Sequence, residues 1–542
     1  MVVGLAIILP VLILTSLSFP SPQVQDTLQA PYSKIDFQHE LMLHTSPLVS
    51  ISDIPHSPFM DSLADQARRF YADRDFMPVW TTDSYTKHPL GVLINLLDSA
   101  NYFGFPFDYF GREMIDSLRG EFNSSKSLVS RVNIEIAATH SAFMFMYFLR
   151  QGIIQADSVC IDTDFIRILP RVLANALHNG NLRDSILAFQ PNLIQYRRII
   201  SSLPHYIDLS QSVRYTTPKF IDERVLARSL FYAGVGQGLE VDTFINNHAA
   251  LHRLQERFNL PKDTLLNHDT HAALVWMLDY RYYQACLNLN RLRNVQGNDE
   301  SYLFVNIPEF RLHVVERNQQ KEVYNVIVGR TDTPTPVFSS TIQKVVTNPH
   351  WTVPRSIANR DIIHRIRQDS TYLAKNGYTV INYREEPIDP SIIDWNGCDP
   401  LGYQHSLRQL SGSQNALGTL KIMFPNEHSV YIHDTPSRAL FSQKYRTFSA
   451  GCIRLENPAR LAQYLTDRYN ASSNVNIMRI IDSKESKDIP LLQQVRIHIQ
   501  YITCTGNPND ELEFYSDIYN LDRLGIKELF PEALGEMASI AG

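Results

Sequence analysis

The 542-residue chain is poor in cysteine, with five in all (Cys160, Cys286, Cys398, Cys452 and Cys504) and no CxxC pair among them. An odd count without that spacing argues against a disulfide framework and a cysteine-built zinc module, and it leaves at least one thiol unpaired. Charge of one sign is also lacking: 50 Lys and Arg against 56 Asp and Glu give a net charge of −6. That is too near balance for the broad positive field of a nucleic-acid binder, so no nucleic-acid partner is expected. His350, His364, His405, His428 and His433 form no HExxH or other paired-ligand spacing, so neither a metal nor another cofactor is expected. Long apolar runs are scarce too. The one present, Val2–Leu17, has no Lys or Arg ahead of it and is followed by Ser and Pro residues. Its length suits a signal peptide, and an uncleaved membrane anchor also fits. Residues 1–22 are assigned to that segment and residues 23–56 to an extended linker. No other stretch is expected to be long and apolar enough to span a membrane.

What is present is an ordinary globular composition, 44% apolar and 20% charged, with length for about three or four folding units. Apolar residues recur at helical spacing through Phe59, Leu63, Ala67 and Phe70 and again through Ile134, Ala138, Ser141, Phe145 and Leu149, predicting an all-helical scaffold over 57–215. A small unit of three helices follows at 216–282, with Gly234 as a helix C-cap. After Asn294 the pattern changes to short β-branched and aromatic runs: YLFVNIP, FRLHVVER, KEVYNVIVG and TIQKVVTN. These predict a mainly β domain over 295–485. It is interrupted at 355–415 by a mixed insertion of the length usual for a lid or binding loop. Strands resume at LKIMF and SVYIHD, a helix covers Leu461–Tyr469, NIMRII reads as a strand, and 486–542 reads as a strand and tail. The fold class is multidomain α+β.

Chemistry concentrates in residues 429–458. A strand delivers His433, and after fifteen intervening residues the chain returns with Ser449-Ala450-Gly451-Cys452 and then Arg454. A thiol beside an imidazole and a guanidinium is expected to have its pKa lowered from about 8.5 toward neutrality, which makes a nucleophile. Gly451 permits a tight turn and close substrate approach. The N–H groups of Gly451 and Cys452 are candidate oxyanion donors. The order, histidine before cysteine, is opposite to that of papain-like enzymes.

His433, the spacer and Ser449-Ala450-Gly451-Cys452-Ile453-Arg454 resemble the signature of the YkuD-type L,D-transpeptidases. Asn415-Ala416-Leu417-Gly418, Lys421 to Asn426, His433-Asp434-Thr435-Pro436, Asn348-Pro349-His350-Trp351 and Val353-Pro354 are similar to the large YcbB-like periplasmic subclass. The resemblance implies a periplasmic enzyme of the cell wall. Its cysteine would attack the bond between the third residue of a tetrapeptide stem, usually diaminopimelate, and the terminal D-alanine. It would then pass the acyl group from a thioester to the diaminopimelate amine of a neighbouring stem, giving a 3→3 cross-link. Carbapenem-type inhibitors are expected from the family. Carried over, Cys452 is the nucleophile and His433 the general base. Gly451, Arg454, Ser449 and Asp434 take oxyanion and supporting roles, and Trp351 and Tyr431 bind substrate. The unit at 216–282 resembles a degenerate peptidoglycan-binding module, and 355–415 a capping subdomain. Ala450 departs from the pattern, replacing a histidine. Two alternatives stay open: an L,D-carboxypeptidase or endopeptidase hydrolysing the same acyl-enzyme, and a non-catalytic peptidoglycan-binding scaffold.

Overall fold

The computed structural model describes residues 33–44, 58–81, 88–154, 161–236 and 247–531 apart from 296, 298, 403, 413 and 471–474. The apolar run at 2–17 and Cys160 therefore lie outside the described residues. The helical part runs through Lys34–His44 (α1), Pro58–Ala72 (α2), Pro89–Asp98 (α3), Arg112–Ser125 (α4), Leu128–Gln151 (α5), Thr163–His178 (α6), Leu182–Leu187 (α7) and Ile194–Tyr215 (α8). It continues with Glu223–Tyr232 (α9), Asn247–Arg257 (α10) and His268–Arg293 (α11). α5 is the central helix of this scaffold, with every residue from Ile134 to Leu149 buried. Its Glu135 carboxylate, fully buried, accepts hydrogen bonds from the Val79, Trp80 and Thr81 N–H groups at 2.8, 2.9 and 2.7 Å. These tie the chain leaving α2 to the scaffold centre, as a buried carboxylate requires.

Two expectations are corrected here. The segment 23–56, read as an extended linker, contains α1, which docks on the scaffold through buried Phe37 and Leu41, one helical turn apart. The second concerns membrane-length runs. α5 is also long and apolar enough to cross a membrane, but its apolar surface is taken up by packing within the scaffold.

The β part comprises Tyr302–Asn306 (β1), Arg311–Glu316 (β2), Gln319–Gly329 (β3) and Phe338–Thr347 (β4), then a capping insertion. In the insertion Trp351–Thr352 (β5), Tyr378–Asn382 (β6), Pro387–Ile388 (β7) and His405–Gln409 (β8) form a separate four-stranded sheet. Short helices at Arg355–Ile357 (α12), Ile363–Gln368 (α13) and Tyr372–Lys375 (α14) pack on it around their own small core, which includes Ile363, Leu373, Val380 and Leu407. The main sheet resumes with Leu420–Met423 (β9), Ile432–His433 (β10), Thr447–Ser449 (β11) and Ile453–Leu455 (β12), followed by Pro458–Tyr469 (α15) and Ile477–Asp482 (α16). Lys487–Gln500 (β13), Cys504–Gly506 (β14), Leu512–Phe514 (β15) and Asp522–Leu529 (α17) complete the described chain.

The main sheet has the order β11-β3-β12-β10-β9-β4-β13-β1-β2, and a further β2–β3 pairing closes it on itself. One face carries the apolar core, with Leu420, Ile422, Ile432, Ile453 and Leu455 packed with Leu461 and Leu465 of α15. Strand alternation therefore turns Lys421, Tyr431, His433, Cys452 and Arg454 to the opposite face. The NIMRII segment is helical, not a strand: Asn476 caps α16 by accepting from the Arg479 N–H at 2.9 Å, and only Ile477 is buried. The cap outweighs the β-branched composition. β13, set with the tail in the sequence reading, is a central strand paired to both β1 and β4.

Candidate active site

The site is built by strand register. β10 runs parallel to β12 with Ile432 opposite Ile453 and His433 opposite Arg454; it runs antiparallel to β9 with His433 opposite Lys421. The Ile453 N–H donates to the Tyr431 carbonyl at 3.1 Å, which places Cys452 beside Tyr431 on the exposed face. One row across the sheet thus reads Lys421, His433, Arg454, and the adjacent row reads Tyr431, Cys452. His433 and Cys452 are diagonal neighbours on strands that lie about 4.8 Å apart.

The imidazole is held firmly. His433 is buried, its Nδ1 donates to the carbonyl of Asp434 at 2.5 Å, and its ring stands 5.7 Å from that of Tyr431. A carbonyl only accepts, so the proton is on Nδ1 and the Nε2 lone pair is free to take another. Burial, and then the Arg454 charge, lower the His433 pKa to about 3; the ring is a neutral base throughout the physiological range. The Asp434 carboxylate, expected as the orienting group, faces away. It accepts from the Thr419 N–H and hydroxyl, both at 2.9 Å, and from Arg438 at 3.0 Å. The main-chain carbonyl does the orienting.

The turn before Cys452 is fixed from within. Gly451 has φ +110°, a value that favours glycine. Its N–H donates to Ser449 Oγ at 3.2 Å, and Ser449 Oγ donates to the Cys452 carbonyl at 2.5 Å. This corrects the expectation that Gly451 offers an oxyanion donor, because its N–H is engaged. The Cys452 N–H has no hydrogen-bond partner among the described residues. Ser449 is a staple of the turn. Ala450 is exposed and leaves that side of the turn without an imidazole.

The thiol state is corrected as well. Cys452 is partly exposed, with Sγ 3.8 Å from the Ser429 carbonyl. Burial of the sulfur nonetheless raises its pKa, against the opposing pulls of Tyr431 and Arg454. With a neutral imidazole alongside, the resting pair is thiol and imidazole, not thiolate and imidazolium. The Arg454 Nε is buried without a hydrogen-bond partner, and the indole Nε1 of Trp351, at the start of the cap, is in the same condition. The unpartnered Arg454 Nε is a donor suited to a carbonyl or carboxylate ligand.

Cys286 and Cys504 are buried free thiols and Cys398 is an exposed one, in the cap. No group of three metal-binding side chains occurs among the described residues. Sequence reasoning missed two participants. Thr335 Oγ1 donates to the Gly451 carbonyl at 2.9 Å and accepts from the Gly329 N–H, at the end of β3, at 2.8 Å. Lys421 gains its place only through the register of β9 with β10, which no local pattern announces.

Residues 300–477 match the YkuD family, the L,D-transpeptidase catalytic domain, and residues 65–203 match a family described as a scaffold domain. A curated Haemophilus influenzae protein, provisionally named an L,D-transpeptidase, is 31% identical over 237 residues, 44% of this chain and 47% of that protein. The chain thus spans about half the length of the curated relative it matches, at 47%. A solved structure of an L,D-transpeptidase from Mycobacterium smegmatis is 16% identical, covering 37% of this chain and 58% of that one with a TM-score of 0.17. Over residues 300–477 the chain is thus similar to the catalytic domain of the YkuD-type L,D-transpeptidases.

Proposed function

We propose that the protein is a periplasmic peptidoglycan L,D-transpeptidase that forms 3→3 cross-links through a Cys452 thioester. The observation that carries this reading is the free Nε2 of His433, locked in its base tautomer one strand from the Cys452 thiol. Cys452 Sγ attacks the carbonyl carbon of the donor's third residue while its proton passes to His433 Nε2. The Cys452 N–H faces the developing oxyanion. The bond to D-alanine breaks, and His433 returns the proton to the leaving amine. The acceptor's diaminopimelate amine then attacks the thioester and loses a proton to His433, which restores the thiol. Arg454 takes a substrate carboxylate, Ser449 and Gly451 hold the turn, Asp434 braces the loop after His433, and Trp351 and Tyr431 line the groove.

Incubating the purified protein with disaccharide-tetrapeptide and weighing the products tests this. A cross-linked dimer is expected, with loss of D-alanine. Tripeptide alone would assign the protein to the L,D-carboxypeptidases, and no product together with no carbapenem adduct would assign it to non-catalytic peptidoglycan-binding scaffolds.

A further inference from the structure

Lys421 has an unusual setting for a lysine. It lies on β9 between β4 and β10, opposite Val346 on one side and His433 on the other, and it is only partly exposed. Its neighbours Leu420 and Ile422 point into the core, which fixes the ammonium on the same face as His433, Cys452 and Arg454. It makes no ion pair or hydrogen bond among the described residues. Its one close partner is the face of the Tyr431 ring, 5.9 Å from Nζ to the centroid, within the range of a cation–π contact. Asp488, the carboxylate whose charge acts on Lys421, is taken by Lys344 at 2.5 Å. Burial lowers the Lys421 pKa, and the Lys344 charge adds to this while Asp488 opposes it.

A half-buried ammonium without a counterion is costly unless something else supplies one. Here it is the outer member of a row whose other end is Arg454, also without a carboxylate partner, and His433 lies between the two. A peptide held with its scissile carbonyl at Cys452 would meet this row, which shares the Cys452 face, and a peptide carries free carboxylates of its own.

We propose that Lys421 is a specificity-determining residue that binds a free carboxylate of the acyl-donor peptide, on the side of His433 away from Arg454. This rests on the reading of the protein as a stem-peptide transpeptidase. Recognition is by charge, and the Tyr431 ring holds the ammonium in place until the ligand arrives. An exposed lysine on a solvated strand face would make no such distinction between donors.

The test separates binding from turnover. Calorimetry measures the affinity of the tetrapeptide, and of versions singly amidated at each free carboxylate, for Cys452→Ala protein with and without Lys421→Met, which keeps the aliphatic stem. Lys421→Met is expected to weaken native tetrapeptide binding by about 10- to 100-fold, on the order of 1.4 kcal/mol per tenfold. Lys421→Arg should restore most of it. Amidation at one position should cost a similar factor with Lys421 present and nothing further in Lys421→Met, which identifies the carboxylate. Equal affinities for Lys421→Met and its parent, or amidation costs that are the same in both, would overturn the proposal. Turnover is scored on the Cys452 protein alone, where absence of any acyl product counts against the transpeptidase reading and leaves the Lys421 binding result standing by itself.

Discussion

His433 and Arg454 stand side by side in register on parallel strands, the imidazole tied to a main-chain carbonyl and the guanidinium without a carboxylate partner. The positive charge disfavours protonation of the ring, so the base stays available well below the ordinary histidine range. In acylation rates measured against pH, no acid limb from His433 is expected near pH 6.5. Arg454→Met removes the repulsive charge, which raises the His433 pKa and moves the limb upward. It also lowers kcat/KM by about 10- to 100-fold if Arg454 holds the substrate carboxylate as proposed. An unmoved limb in Arg454→Met would show that the charge does not govern His433.

The thiol at rest is protonated, because burial raises its pKa. Alkylation of Cys452 by iodoacetamide should therefore be slower at pH 7 than that of a free cysteine and should climb with pH through and beyond about pH 8.5, the ordinary thiol value. Fast alkylation, flat from pH 6 to 8, would instead indicate a preformed thiolate–imidazolium pair.

Gly418 approaches the loop after His433 closely. It has φ +59°, and a Cβ there would lie 2.4 Å from Cγ and Oδ2 of Asp434. Gly418→Ala pushes the Asp434 carboxylate off Thr419 and strains the backbone, at a cost of roughly 2 kcal/mol in stability. Because Asp434 also supplies the carbonyl that orients His433, kcat should fall more than KM rises. Denaturant melts together with steady-state kinetics would check both parts.

Acid stability is set partly by buried histidines. Burial lowers His140 and His498 to about 4, and His433 lies lower still, at about 3. As pH falls below about 6.5 the unfolded chain takes up protons that the folded chain refuses, so stability declines across the interval from about 6.5 to 4. Both ring nitrogens of His140 are buried without partners. His140→Leu removes one such group, so its melting temperature should be at least that of the parent at pH 7, and its advantage should widen toward pH 4. Thermal melts at the two pH values would read this directly.

Much of the site was legible in the sequence because its chemistry is local. His433, Gly451 and Cys452 lie within one short segment, and the helix-to-strand change after Asn294 marked where the scaffold gives way to the catalytic sheet. What was not legible depends on tertiary placement. Lys421 and Arg454 flank His433 only through strand register, and Thr335 reaches Gly451 across 116 residues of chain. Likewise, the state of the Cys452 thiol turns on desolvation, which residue spacing does not report. NIMRII shows the other limit: its β-branched composition suits a strand, yet the Asn476 cap makes it a helix.

The most direct measurement is the intact mass of the protein after brief exposure to disaccharide-tetrapeptide, followed by peptide mapping. An adduct of the donor minus D-alanine is expected on Cys452, absent in Cys452→Ala and greatly slowed in His433→Ala. An adduct on another residue, or one that persists in Cys452→Ala, would contradict the assignment of Cys452 as the nucleophile.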